Sequence, residues 1–122
     1  MNRDDGAIPP LLSLDRMVHE PARLAILTAL FAAEEVEFLF LQKVTTLSKG
    51  NLSSHAQKLE AAGYLKTTKV FRGRIPLTTF CITKSGRAAL ESYQKQMQLF
   101  TERKLRSDPV DRNRTKAQHG AG

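Results

Sequence analysis

The segment "SKGNLSSHAQKLEAAGYL", residues 48–65, predicts one short amphipathic helix whose outward side lacks acidic residues. Ser48 suits the position before the helix, because its hydroxyl can accept a hydrogen bond from a backbone N–H of the first turn. Gly63 suits the position after the helix, where glycine is common. At about 100° per residue, three apolar side chains fall on one side and are expected to face a core. These are Leu52, Ala56 and Leu59.

The opposite side of this helix is chemically suited to contact nucleic-acid bases and phosphates. The helical wheel places on it, or on its flanks, Gly50, Asn51, Ser53, Ser54, Gln57 and Lys58. Asn and Gln side chains pair well with adenine, while Lys suits guanine or a phosphate. A carboxylate would be repelled by phosphates, and none precedes Glu60 in the helix. The alternative interpretation is an ordinary solvated helix face, which is common on globular proteins.

The residues that follow predict a β-hairpin with a basic tip. Two β-prone runs, "YLKTTKVF" and "LTTFCIT", are separated by "RGRIP". Lys69, Arg72 and Arg74 lie around Gly73, in a tip too polar for a core. Such a hairpin can place cations along a nucleic-acid backbone or in a narrow minor groove. Beside a short helix-turn-helix, it predicts nucleic-acid binding.

The charge distribution favours the same interpretation. The 122-residue chain, long enough for one domain with a modest core, carries a net charge of +7. Residues 1–42 sum to −4, residues 43–76 to +6 and residues 77–122 to +5. An acidic first third followed by a basic middle indicates one surface suited to a polyanion.

The complete pattern predicts a mainly α-helical fold with a small β-hairpin wing, the winged helix-turn-helix. Its order is a helix in "LLSLDRMVHE", a helix in "PARLAILTALFAA", a very short strand at residues 36–38, a short helix in "LFLQKVTT", the capped helix, the hairpin and a long helix capped by Thr83. The apolar sides predicted for the second and third helices comprise Leu24, Leu27, Leu30 and Phe31, and Phe40, Val44 and Leu47. We predict a flexible lead at residues 1–13, the winged-helix domain at 14–106 and a disordered basic tail at 107–122.

The last helix carries a heptad-like apolar seam that predicts a homodimer contact. Leu90, Tyr93, Met97 and Phe100 are spaced three, four and three residues apart. A domain this small has little core left to cover such a seam, although packing on its own domain is the alternative. Leu14 and Val18 from the "LLSLDRMV" segment are predicted to join the interface.

Residues typical of catalysis or metal binding are too few and too scattered to predict either function. His19, His55 and His119 are far apart, and no nucleophile or acid accompanies them in a recognisable arrangement. The single cysteine, Cys81, excludes an internal disulfide and fits a reducing compartment. We interpret it as an inert, half-buried side chain rather than a thiol switch. The sequence therefore predicts no enzyme, no metal and no cofactor.

No apolar run reaches the length of a signal peptide or a membrane span, so we expect a cytoplasmic protein that does not contact a membrane.

Three segments resemble the small winged-helix transcriptional regulators related to the MarR and ArsR groups: "HEPARLAIL", "GNLSSHAQKLEAAGYL" and "FRGRIPLTTFCITKSGRAAL". The resemblance extends over about residues 14–100. It implies a dimer on duplex DNA, with the helix at residues 49–62, which begins with Lys49, in the major groove. By this resemblance the base-contacting residues are Asn51, Ser53, Ser54, Gln57 and Lys58, and the wing contacts are Arg72 and Arg74. The sequence departs from the pattern at Ile75 and Leu77, where more basic residues are expected.

Two other classes of function stay open at this point. An RNA- or single-strand-binding winged helix would show little preference for duplex DNA. The binding of a protein-interaction module would survive loss of Arg72, Arg74 and Lys58. A small-molecule effector is compatible with the fold, but no residue identifies one.

Overall fold

The computed structural model of the chain describes residues 14–106, with side-chain surroundings up to residue 102. The predicted lead at residues 1–13 and the predicted tail at residues 107–122 lie outside the described residues. The elements are α1 (Pro21–Phe31), β1 (Val36–Glu37), α2 (Phe38–Thr45), α3 (Lys49–Ala61), β2 (Leu65–Arg72), β3 (Ile75–Ile82) and α4 (Lys84–Arg106). This order confirms the predicted winged helix-turn-helix fold. None of these helices is both long and apolar enough to cross a membrane.

The prediction of a helix within "LLSLDRMVHE" is wrong for residues 14–20, the part of this segment that the structure describes. Residues 14–20 form turns and bends, because the Asp15 carboxylate accepts the backbone N–H of Met17 at 2.8 Å and competes with helical bonding. Glu20 precedes a proline, which disfavours helical backbone, and it is extended at φ −156° and ψ 128°. Its side chain instead accepts the Arg23 N–H and caps α1.

The apolar sides predicted for α1 and α2 are partly wrong. In α1 the buried side chains are Ile26, Leu27 and Leu30. In α2 only Leu41 is buried, whereas Phe40 and Val44 are 57% and 49% exposed. A helix of two turns offers too few residues for spacing alone to identify its buried side.

The turn between α2 and α3 contains one unusual backbone conformation. Thr46 ends α2 in the left-handed region at φ 59°, where a β-branched residue is rare, and its N–H bonds to the Gln42 carbonyl. Ser48 then begins α3 by accepting the Asn51 N–H at 3.1 Å, as predicted. The short turn holds α3 against the rest of the helix-turn-helix.

A Schellman motif ends α3 at the predicted glycine. Gly63 has φ 82°, and its N–H bonds to the Glu60 carbonyl, while the Tyr64 N–H bonds to the Leu59 carbonyl. Leu52, Ala56 and Leu59 are buried, which confirms the predicted core side of the helix.

The three strands form one antiparallel sheet in the order β1-β3-β2. Opposed residues of an antiparallel pair lie on the same face, and successive residues alternate between faces. The inner face, which packs toward α3, carries Leu65, Thr67, Lys69, Phe71, Pro76, Thr78, Phe80 and Ile82. The outer face carries Lys66, Thr68, Val70, Arg72, Ile75, Leu77, Thr79 and Cys81. Leu65, Phe80 and Ile82 are buried, and the free Cys81 is half-buried.

Thr83 caps α4 by accepting the Gly86 N–H at 3.0 Å, which confirms the predicted cap. Gly86 allows a close approach, since a Cβ there would lie only 2.1 Å from the Tyr64 carbonyl oxygen. The Arg87 guanidinium lies 4.7 Å from the centre of the Phe31 ring and ties the start of α4 to α1.

The chain divides into two units, and the candidate site lies wholly in the first. This unit is Asp15–Tyr93, which contains α1, α2, α3, the sheet and the start of α4. The second unit comprises Met1–Leu14 and Gln94–Gly122, of which the structure describes Leu14 and the remainder of α4.

Candidate nucleic-acid interface

The outward side of α3 is open to solvent along its length. The predicted contact residues Lys49, Asn51, Ser54, Gln57 and Lys58 are exposed, and Ser53 is half-buried. The only carboxylate of the helix, on Glu60, accepts a hydrogen bond from the Thr67 hydroxyl at 3.1 Å. This bond directs the acid toward the hairpin, where it lines the groove described next, and leaves neutral and basic side chains on the rest of the exposed surface of α3.

A groove of about 290 Å³ separates α3 from the inner face of the hairpin. Gln57 and Ser53 line it from the helix, and Lys69 and Thr78 line it from the strands. The structure therefore brings predicted residues of the helix and the wing, separated in sequence, to one surface. Amide, hydroxyl and ammonium groups there can donate hydrogen bonds to base edges and phosphates.

A second groove, of about 330 Å³, lies at the start of α3. Lys49 and Ser53 line it together with Phe38 at the first turn of α2 and Pro76 and Thr78 on β3. Lys49, Ser53 and Gln57 are four residues apart in the helix and thus form one stripe that faces the hairpin. Asn51, Ser54 and Lys58 line neither groove and lie elsewhere on the exposed surface of α3.

The wing ends in a two-residue turn. Arg72 pairs with Ile75 across the hairpin, so the turn consists of Gly73 and Arg74 alone. Gly73 adopts φ 65°, which a two-residue hairpin turn requires and glycine permits without steric cost. Arg74 is exposed at the end of this tight turn.

Arg72 lies on the outer face of the sheet and is paired with an acid. Its Nη2 donates to the Glu37 carboxylate of β1. The side chains are 70% and 38% exposed, so the pair is accessible to solvent and to competing anions. The pair uses Nη2, so the remaining guanidinium N–H groups of Arg72 can still donate to a phosphate, although the charge of Glu37 opposes it. This pair could not be predicted from the sequence, because 35 positions separate Glu37 from Arg72 and only the folded sheet brings them together.

Apolar side chains surround the turn of the wing. Phe71 is 71% exposed, Ile75 62% and Val70 37%. Alternation along β2 places Phe71 on the inner face with Lys69, whereas Val70 and Ile75 lie on the outer face. The tip thus combines exposed apolar groups with exposed cations, and only the cations were predicted as contacts.

Arg23 of α1 fixes the position of α3. Its Nε donates to the Met17 carbonyl at 2.7 Å, and its Nη1 donates to His55 Nδ1 at 3.3 Å. Because a guanidinium only donates, His55 Nδ1 is the acceptor in this contact. The Glu20 carboxylate lies 3.9 Å from the same Nδ1. His55 therefore has a structural environment.

A second anchor joins the segment before α1 to the end of α3. The Tyr64 hydroxyl donates to Asp15 Oδ2 at 2.5 Å. This hydrogen bond, together with burial and the Asp15 charge, raises the pKa of Tyr64 from 10.0 to about 12. Neither anchor was found in the sequence, because each joins polar residues of common type across long separations.

The residues predicted at a dimer interface differ in exposure. Leu14, Val18, Leu90 and Tyr93 are buried in the single chain, and Tyr93 also bonds through its hydroxyl to His19 Nδ1 at 2.7 Å. Their side chains are thus covered without a partner subunit. Met97 and Phe100 are half-buried, so the predicted contact now depends mainly on these two residues.

No cluster of three or more potential metal ligands occurs between residues 14 and 102, where side chains are described.

The helix-turn-helix with a basic two-stranded hairpin defines a winged helix-turn-helix protein. The family model for the winged helix DNA-binding domain matches residues 22–101, and the chain belongs to this family. Uncharacterized protein MJ0432 of Methanocaldococcus jannaschii is 37% identical over 79 residues, covering 64% of this chain and 85% of that protein.

Solved structures share the fold. A transcriptional regulator homologue from Pyrococcus horikoshii superposes with a TM-score of 0.69 at 32% identity, covering 72% of this chain and 87% of the other. CouR, a transcriptional repressor solved bound to a 23-mer DNA duplex, has a TM-score of 0.61 at 21% identity, with 83% and 70% covered. A MarR-family regulator from Silicibacter pomeroyi has a TM-score of 0.54 at 19% identity, with 86% and 70% covered. The predicted resemblance to this group of regulators is confirmed.

Proposed function

We propose that the protein is a transcriptional regulator that binds duplex DNA with sequence specificity as a homodimer. The exposed side of α3 enters the major groove, and the wing contacts the flanking backbone or minor groove. The observation that carries this proposal is the groove between α3 and the hairpin, where Gln57 and Lys69 face the same space. Two comparisons support the proposal. The chain belongs to the winged helix DNA-binding family, and it shares its fold with CouR, which was solved bound to a DNA duplex.

The two elements are assigned different tasks. The neutral hydrogen-bonding groups of α3, such as Asn51 and Gln57, distinguish bases because each presents both donors and acceptors to base edges. Lys58, Lys69 and Arg74 neutralise phosphates, which contributes affinity for any sequence. Selectivity therefore depends on α3, while salt-sensitive affinity depends largely on the cations.

This division of tasks is tested by comparing Gln57→Ala with Arg74→Ala on duplexes selected by the wild-type protein from a random library. Gln57→Ala is expected to relax preference at one or two base positions, at a loss of about tenfold on the selected duplex. Arg74→Ala is expected to weaken selected and scrambled duplexes alike and to reduce the salt slope by about one.

Anisotropy titrations with both duplexes measure these effects, and Gln98→Ala on the exposed side of α4 serves as the control. Equal losses on both duplexes for both variants would contradict the division. A preference for single-stranded DNA or RNA would instead favour the first alternative class. Binding to another protein that survives loss of Arg72, Arg74 and Lys58 would favour the second.

A further inference from the structure

We propose that Phe71 is a minor-groove wedge, whose ring enters between two adjacent base pairs of bound duplex DNA and partly unstacks them. This inference rests on the proposed function. It adds that Phe71 contacts the bases from the minor groove and locally distorts the DNA. The base step that Phe71 enters is flexible and lies beside the segment contacted by α3.

The first argument is the exposure of the ring in its local setting. One exposed apolar residue is normal on a protein surface. Here Val70, Phe71 and Ile75 are all exposed within six positions of one hairpin, and Phe71 is the most exposed at 71%. The cations Arg72 and Arg74 lie between Phe71 and Ile75 in the sequence. The tip thus exposes apolar groups on both faces of the hairpin beside two cations, and this combination indicates a binding surface rather than isolated exposed residues.

The second argument is the charge of the partner that the hairpin fits. Residues 65–82 contain Lys66, Lys69, Arg72 and Arg74 and no acid. The acids beside the tip, Glu35 and Glu37, border its outer face, where Glu37 is paired with Arg72. A partner of this surface must therefore tolerate cations as well as apolar groups. The minor groove provides both environments, because phosphates line its edges and the faces of its bases become available when a step opens.

The third argument is the position of Phe71 relative to α3. Phe71 lies on the inner face of the hairpin, two residues beyond Lys69. Lys69 and Gln57 line the groove beside α3. Phe71 lies beyond that groove, nearer the turn, and also borders the groove lined by Val70 and Arg72. With α3 in the major groove of a duplex, the neighbouring minor groove of that duplex would face the wing. Phe71 and Arg74 would contact it there.

The backbone of the wing is suited to support a wedge, because a wedge has to resist bending while it separates stacked bases. The wing has a two-residue turn at Gly73 and a continuous pairing register from Leu65↔Ile82 to Arg72↔Ile75. Pro76, opposite Phe71, further restricts the backbone beneath the ring. Pyrimidine–purine steps, which unstack most easily, are the expected targets.

The test uses the full-length chain and a duplex that it selects from a random library. 2-Aminopurine replaces adenine at successive positions outward from the centre of the selected site, and its emission rises where stacking is lost. Binding by wild type is expected to raise the emission at one flanking step. Phe71→Ala is expected to abolish the rise and to weaken binding about tenfold, as loss of a base–aromatic contact does.

Phe40→Ala is the matched control. It removes a ring of similar exposure, 57%, from α2, and it should leave emission and affinity unchanged. Thermal melting verifies that each variant is folded. Tight binding by wild type without a rise in emission at any base step would overturn the wedge and leave the proposed function standing. A Phe71→Ala variant that behaves like Phe40→Ala would do the same.

Two further outcomes would also overturn the inference. Failure of wild type to bind any duplex at low salt would remove the proposed function together with the wedge. Anionic lipid vesicles that retain wild type but release Phe71→Ala, with duplex binding unaffected, would assign the apolar tip to a lipid surface.

Discussion

At the scale of single residues, Glu37 holds the Arg72 guanidinium on the outer face of the sheet. A phosphate must therefore compete with a carboxylate for this cation. Exposed pairs of this kind contribute about 0–1 kcal/mol, so the competition modulates binding and does not block it. Under the proposed function, Glu37 thus limits the affinity of the wing for DNA of any sequence.

Glu37→Gln is accordingly expected to raise affinity for selected and scrambled duplexes alike, by no more than about fivefold. The salt slope should increase in magnitude by up to about one, because one more cation is free to release a counterion. Salt-dependent anisotropy measures both quantities.

Glu34→Gln is the matched control, since it removes a nearby negative charge at a position exposed to solvent. An equal gain from Glu34→Gln would show that general charge, rather than release of Arg72, produces the effect. The gain from Glu37→Gln should also disappear in a protein that already carries Arg72→Ala.

The bond between Tyr64 and Asp15 predicts a loss of stability at alkaline pH. The pKa of Tyr64 is raised to about 12 in the folded protein, against 10.0 for a free side chain. The unfolded chain therefore loses this proton first, and the stabilisation decreases as pH rises from about 10 to about 12. Urea denaturation at several pH values should show a steeper decline for wild type than for Tyr64→Phe. Parallel declines would contradict the role of this hydrogen bond.

At the scale of elements, the ends of helices were predicted well where residues next to each other in the sequence determine them. The Ser48 cap, the Gly63 stop and the Thr83 cap each depend on a few consecutive residues, and each is present. The outward side of α3 followed from helical periodicity for the same reason. The grooves, by contrast, depend on how β3 and α3 pack, and nothing in local spacing specifies that.

Failures of prediction occurred where a tertiary or side-chain interaction outweighed periodicity. The Asp15 carboxylate accepts hydrogen bonds from the Met17 N–H and the Tyr64 hydroxyl, so the segment before α1 forms turns instead of a helix. In α2, the apolar spacing of Phe40 and Val44 predicted a core side, but the helix buries Leu41. The left-handed Thr46 also has no signal in a sequence that lacks glycine at this position.

Two helix glycines, one tightly packed in α4 and one open to solvent in α3, give opposite predictions about stability. Gly86→Ala is expected to destabilise the protein by about 1–3 kcal/mol, because its Cβ would overlap the Tyr64 carbonyl oxygen, which belongs to the backbone. Gly50→Ala, in α3, has nothing within 4 Å of the new Cβ and should stabilise by about 0.5–1 kcal/mol. Urea denaturation compares the two variants, and a stabilising Gly86→Ala would contradict the packing described.

At the scale of the whole molecule, the proposed homodimer depends on the half-buried residues of α4. Wild type is expected to sediment as a dimer. Met97→Glu combined with Phe100→Glu is expected to yield a monomer and to weaken duplex binding about a hundredfold, since two linked half-sites bind far better than one.

Gln94→Glu combined with Gln98→Glu adds the same charge at exposed positions of the helix and should remain dimeric. Sedimentation velocity distinguishes the species. A monomeric wild type would contradict the homodimer. A double variant that remains a dimer would show that the dimer contact lies elsewhere.

The central claim is that α3 and the wing together bind duplex DNA with sequence specificity. Fluorescence anisotropy over a salt series, with the duplex upstream of the protein's own gene and a scrambled duplex of equal composition, tests it most directly. The account predicts tight binding to the upstream duplex that persists as salt rises, while binding to the scrambled duplex is lost. Equal, weak and steeply salt-dependent binding to both duplexes would contradict the account and leave only nonspecific attraction between a basic protein and a polyanion.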